Sequence, residues 1–207
     1  MKAILGIGNP GPEYEGTRHN AGFEVADRLA RLLKVRFRED PELRSLVARR
    51  PTYALLKPRT YVNLSGEAAR RALDRFGLEP ADLMVVSDEM ALPAGSLRLR
   101  GSGSDGGHNG LRSVIAALGT EAFPRLRVGI GPPEAEAGAV DHVLGPWTAE
   151  ERKLVEPALE RAADVLSAWL RGEPLDRLMA RTNREPGEPP RGPGNKAARD
   201  RREGVNE

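Results

Sequence analysis

The chain has 207 residues, enough for one well-buried domain with a tail and too short for two full-sized ones. Its 32 basic and 30 acidic residues leave a net charge of +2, which selects no partner by itself, although the basic side is mostly arginine, whose planar fork suits phosphate as readily as it suits surface ion pairing in a GC-rich or heat-adapted source. The absence of cysteine excludes disulfides, iron-sulfur clusters and thiolate zinc sites and fits a reducing compartment, and no stretch has the apolar length of a membrane span or of a signal-peptide core, so a soluble protein that is not exported is expected.

In chain order, "KAILGI" is a short apolar run stopped by Gly and Pro, as expected of a buried strand. Asn20 can cap a helix whose Phe23, Ala26, Leu29, Ala30 and Leu33 recur at helical spacing. "YALLKP" and "LMVVSDE" read as further strands, with "LSGEAARRALDRFG" between them as an amphipathic helix ending at Gly77. "SLRLR" alternates like an edge strand, "HNGLRSVIAALG" is helical, and "RLRVGIG" is another strand. From Thr148, a plausible cap, a long helix runs to Gly172, and a shorter one follows Pro174. Strands alternating with helices predict a single layered α/β domain with a twisted mixed β-sheet flanked by helices, over residues 1–184. The remainder, 185–207, holds Pro, Gly and both charge signs with almost nothing apolar, and is predicted to be disordered.

The stretch "GIGNPG" spells the G-x-G-x-x-G dinucleotide fingerprint. A working fingerprint needs its third glycine inside the first turn of a helix, so that helix amides meet the pyrophosphate. Pro10, Pro12 and Gly16 delay helical periodicity until about Asn20, so the match is a false positive. The loop instead carries Asn9, Tyr14, Arg18, His19 and Asn20 to the carboxyl end of the first strand, where open α/β sheets keep their ligand sites.

Asp88 follows "LMVV" and should also emerge at a strand's carboxyl end. Beside His19 it would fix the tautomer of the imidazole and make it a better general base; alone, it would cap a turn near "LPAG". Asn63, at the start of the second helix, and the pair His108 and Asn109, after the glycine-rich "GSGSDGG", are each open to a capping role or a ligand role. No Gly-x-Ser-x-Gly elbow competes, and no His spacing resembles a zinc site. The residues left form a base-type set suited to activating water against an acyl carbonyl.

Four blocks, "GIGNPGPEYEGTRHNAG", "KPRTYVNLSG", "SDEMALPAGSLRLR" and "GGHNGLRSVIAALGTEAFPRLRVGIG", resemble the bacterial peptidyl-tRNA hydrolases, in family order and over Met1 to about Asn183. The resemblance implies a cytoplasmic, monomeric enzyme without metal or cofactor, with no membrane and no obligate protein partner. Its substrate would be peptidyl-tRNA, met at the acceptor stem and 3' end and hydrolysed at the ester to the ribose. Carried over by motif, it implies that His19 is the base on water and Asp88 its partner. Asn9, Tyr14, Tyr61, Asn63 and Asn109 become substrate contacts, Asn9 telling blocked from free aminoacyl ends, and His108 a residue that shapes the site. Arg98, Arg100, Arg125 and Arg127 fall where tRNA phosphates are expected, with surface ion pairing as the alternative for each. Val62 stands where the family usually has methionine, and Asp105 puts a negative charge in the glycine loop. A non-hydrolytic RNA-binding protein on the same fold and a general carboxyl-ester hydrolase are the rival readings.

Overall fold

In the computed structural model, which describes residues 1–133 and 138–184, seven strands form one mixed sheet in the order β2-β3-β4-β1-β5-β7-β6. The predicted tail, 185–207, lies outside the described residues. The four central strands, β4 (Tyr53–Pro58), β1 (Lys2–Gly6), β5 (Leu83–Glu89) and β7 (Arg125–Gly129), are parallel. The hairpin of β2 (Arg38–Asp40) and β3 (Ser45–Arg50) on one edge, and β6 (Leu97–Arg100) on the other, run antiparallel.

The continuous apolar runs of the central strands follow from helices on both faces. Side chains alternate across a strand, so Ile4, Leu55, Met84 and Val86 enter one core with helices α1 (Ala21–Leu32) and α5 (Ala149–Leu170). Ala3, Leu5, Ala54, Leu56, Leu83 and Val85 enter a second core with α2 (Ser65–Phe76) and α3 (Asn109–Leu118). A short helix α4 (Ala139–Leu144) precedes α5, and α6 (Leu175–Thr182) packs on β6. Among the described residues no helix is long and apolar enough to cross a membrane.

The neighbouring parallel strands β1 and β4 send their chains to helices on opposite faces, α1 in one core and α2 in the other. Such a divergence opens a crevice at the carboxyl ends of the two strands. The edge beyond β6 is closed differently. The Asn183 side chain accepts from Leu99 N at 2.7 Å and donates to Leu99 O at 3.0 Å, pairing with the strand as another strand would.

Helix α1 begins hard against the strand ends, because Gly22 has no side chain. A Cβ there would lie 2.5 Å from the carbonyl oxygens of both Ile7 and Val86, and backbone cannot give way as a flexible side chain does. Gly22→Ala is expected to destabilise the fold by at least about 1–3 kcal/mol, read as a lower urea midpoint at unchanged slope. An unchanged midpoint would contradict this packing.

Candidate functional site

After β1 the chain passes through Asn9, a tight turn over Pro12–Tyr14 and a second over Arg18–Asn20 before α1 starts at Ala21. The late helix bears out the dismissal of the glycine fingerprint. Asn20 stands just before the helix, but its side chain caps nothing. It spans the loop instead: Oδ1 accepts from Asn9 N at 2.8 Å and Nδ2 donates to Asn9 O at 3.0 Å. With its backbone held, Asn9 uses its own Oδ1 to accept from Val62 N at 2.9 Å, joining the β1 loop to the turn after β4. The carboxamide orientation of Asn9 is thereby fixed, and its NH2 group remains for another acceptor.

His19 and Asp88 meet. Nδ1 of His19 lies 2.9 Å from Oδ1 of Asp88, which is 2 % exposed at the end of β5. A second imidazole reaches the same oxygen, His108 Nε2 at 2.9 Å. The tautomer of His108 is settled by its other nitrogen. It stands at the start of α3, where Nδ1 accepts from Gly110 N at 3.0 Å and Leu111 N at 3.3 Å. With that lone pair occupied, Nε2 carries the hydrogen and donates to Asp88. The helix start thus caps itself on His108. Burial pushes the Asp88 carboxyl up, but His108 and then His19 outweigh it and hold the group well below the usual carboxylate range. A turn-capping role, open for Asp88 from sequence, belongs to its neighbour: Glu89 Oε1 accepts from Ala91 N at 3.1 Å.

Among the described residues, His19, Asp88 and His108 are the group whose possible metal-ligand atoms lie together, all within 4.8 Å. Their hydrogens do not fit a metal. Ligation by Nε2 of His108 would require the proton it shares with Asp88 to leave, while two backbone amides keep Nδ1 as an acceptor. The donor set suits two hydrogen bonds to one carboxylate.

The three residues line a cleft of about 120 Å³ with Asn109 and, across from them, Ala139, Val140 and Val143 of α4. That volume admits several waters or a reacting group, so a large substrate must extend beyond it. The rings of Tyr14 and Tyr61 pack edge to face with centroids 6.3 Å apart, and Tyr61 is 57 % exposed. Asn63 is exposed in the turn Val62–Leu64, one residue ahead of the cap position of α2, which Leu64 occupies. Asn109 is exposed too, its Oδ1 accepting from Arg112 at 3.2 Å. Helix α4 and the clamp made by Asn20 were not anticipated. Six residues, none of them buried, give too little periodicity to find the helix, and a capping asparagine and a loop-bridging one look alike in sequence.

The four arginines separate into two pairs. Cross-strand register puts Arg98 opposite Arg127 and Arg100 opposite Arg125 on one face of the β6–β7 ribbon. Arg98 and Arg100 are exposed and form no ion pair among the described residues. Arg125 is fully buried and donates to the carbonyls of Gly103, Ser104, Glu121 and Phe123. Burial, reinforced by the Arg127 cation, pulls its pKa down to about 10. Arg127 pairs with Glu89 and donates to Ser104 O at 2.7 Å. The expectation that Arg125 meets phosphate is corrected: its fork is divided between the glycine loop and the carbonyls of Glu121 and Phe123, and Arg127 divides its own between Glu89 and Ser104. Asp105 is also neutralised locally, by Gly107 N at 2.6 Å and Arg112 at 3.5 Å, which hold its carboxyl below the usual range.

The family model of peptidyl-tRNA hydrolase matches residues 3–190. The peptidyl-tRNA hydrolase of Dehalococcoides mccartyi is 47% identical over 176 residues, covering 82% of this chain and 93% of its own. That of Desulfitobacterium hafniense is 47% identical over 188 residues, covering 89% and 100%. The crystal structure of the peptidyl-tRNA hydrolase from Acinetobacter baumannii superimposes with a TM-score of 0.83 at 32% identity, over 88% of this chain and 94% of that one. Sequence and fold each match over most of the chain, and the chain belongs to the peptidyl-tRNA hydrolase family.

Proposed function

We propose that this protein hydrolyses the ester between a peptide, or an N-blocked aminoacyl group, and the 3' ribose of tRNA, by water that His19 activates. The observation that carries the reading is the 2.9 Å bond from His19 Nδ1 to a buried, ionised Asp88. A hydrogen on Nδ1 leaves Nε2 as the basic nitrogen, and among the described residues Nε2 has no partner. Nε2 takes a proton from water as its oxygen attacks the carbonyl carbon; the imidazolium, stabilised by Asp88, returns the proton to the departing ribose oxygen. No covalent intermediate is required. Asn9 and Asn109 both spend their carbonyl oxygens inside the protein, so each presents an NH2 to substrate, with exposed Asn63 beside them. A donor aimed at the developing oxyanion contributes about 3 kcal/mol. Asn9 is also suited to selecting blocked over free aminoacyl ends. Tyr14 and Tyr61 offer an aromatic surface for the 3' end or the peptide, and His108 keeps Asp88 in place. The substrate places the enzyme in the cytoplasm, and the site needs no second copy of the chain.

His19→Ala is expected to lower kcat by about 100- to 10,000-fold on N-blocked aminoacyl-tRNA while tRNA binding persists; turnover near wild type would remove His19 as the base. Loss of cleavage with intact binding in the wild type itself would favour an RNA-binding scaffold. Asp88 is held well below the usual carboxylate range, so it should add no protonation step of its own to the acid side of the pH profile. As pH falls, kcat/KM should drop by about tenfold per unit, whereas a hundredfold drop would mean that a second group protonates as well. Arg98→Ala and Arg100→Ala should each reduce the slope of log affinity against log salt by about one if each meets a phosphate. Slopes equal to wild type would remove them from the interface.

A further inference from the structure

The turn that carries His19 is fixed from outside by one ion pair. Arg18 is buried, and its guanidinium forks onto Glu151 of α5, with Nε donating to Oε1 at 3.0 Å and Nη2 to Oε2 at 2.6 Å. The remaining nitrogen, Nη1, donates to His142 O of α4 at 3.1 Å, and the Arg18 backbone N donates to Gly145 O at 3.1 Å. Thr17 forms a bridge with Pro146 beside it. The approach is close: a Cβ at Gly145 would lie 2.9 Å from Arg18 Nη1 and 3.1 Å from Asp141 O.

Glu151 is itself placed by the start of α5. Its Oε2 accepts from Thr148 N at 2.7 Å, and its backbone N donates to Thr148 Oγ1 at 3.2 Å. A capping box needs only one carboxylate oxygen; here Arg18 engages both. Burial pushes the Glu151 carboxyl up, and Arg18 with the Thr148 amide brings it below its usual value. Helix α4, which supplies the cleft wall facing His19, buries none of its own residues. Its hydrogen bonds to the rest of the fold include the one from Arg18 and the one between His142 Nε2 and Gly131 O at 3.0 Å.

We infer that Glu151 is a positioning residue for the reaction: through the Arg18 fork it holds His19 and the α4 wall of the cleft in one geometry. The inference rests on His19 being the base. Bidentate pairs fix direction as well as distance, and the residue they anchor here is adjacent in sequence to the base.

The test compares Glu151→Gln and Arg18→Lys, which spoil the fork, with Thr148→Ala, which removes the side-chain cap of α5 but leaves both bonds between Arg18 and Glu151. All are assayed with N-blocked aminoacyl-tRNA at a temperature where circular dichroism shows them folded, and the low-field proton resonance of His19 Nδ1–H is recorded. Glu151→Gln and Arg18→Lys should lose on the order of 10- to 100-fold in kcat with KM within about threefold, and the resonance should shift or broaden. Thr148→Ala should lose melting temperature only. If Glu151→Gln behaves like Thr148→Ala, with kcat and resonance unchanged, Glu151 is merely a cap and the inference is overturned. His19→Ala in the same series separates the two readings. An active His19→Ala overturns the base assignment, whereas an inactive one beside a fully active Glu151→Gln overturns the positioning role alone.

Discussion

Asp88 is a carboxylate buried at the end of a central strand, and an isolated charge there would be too costly to keep. It stays ionised because two imidazoles donate to one of its oxygens from different parts of the chain. Each donor needs its own support. His108 is turned by the first amides of α3, and His19 by the short turn ahead of α1. The carboxylate therefore ties three elements together: the last residues of β5, the loop that leaves β1 and the start of α3. The layered sheet supplies that convergence, since parallel strands deliver their carboxyl ends to one side of the molecule.

The amides divide their labour in the same spirit. Asn20 gives up capping in order to hold the backbone of Asn9, and Asn9 then uses its oxygen to hold the turn after β4. What remains is a nitrogen with a fixed direction. Val62, whose backbone N supplies that contact, is buried, so its side chain bears on packing beneath the turn rather than on the hydrogen bond. The arginines follow an analogous split. The inner pair is consumed by contacts within the fold, to the glycine loop, to the residues just before β7 and to Glu89, and the outer pair stays exposed to solvent or a partner.

Much of the fold was legible because burial on both faces leaves unbroken apolar runs, as in β1, β4 and β5. The β2–β3 hairpin was not: "RED" is three charged residues and "SLVARR" ends in two arginines, so neither shows a strand's pattern. His19 and Asp88 could be singled out one by one from their places at strand ends, and the family resemblance implies roles for them. Their contacts were not legible, since His19 and His108 are 89 positions apart and only the sheet order brings them to one aspartate. Arg125 was misjudged for a related reason. The alternation in "RLR" marks two faces, but a loop distant in sequence decides which of them is covered.

The bond pair between Asn183 and Leu99 has a bearing on where the folded unit can stop. A strand edge with unpaired amides and carbonyls invites a second molecule to pair with it. Here a single carboxamide, just after α6, occupies that position on β6. A chain shortened by two dozen residues would keep this guard, whereas one cut a single residue further back would lose it and expose a template for strand exchange between molecules. Among the described residues the chain thus ends on a hydrogen bond to an edge, a few residues past the last core side chain, Leu178.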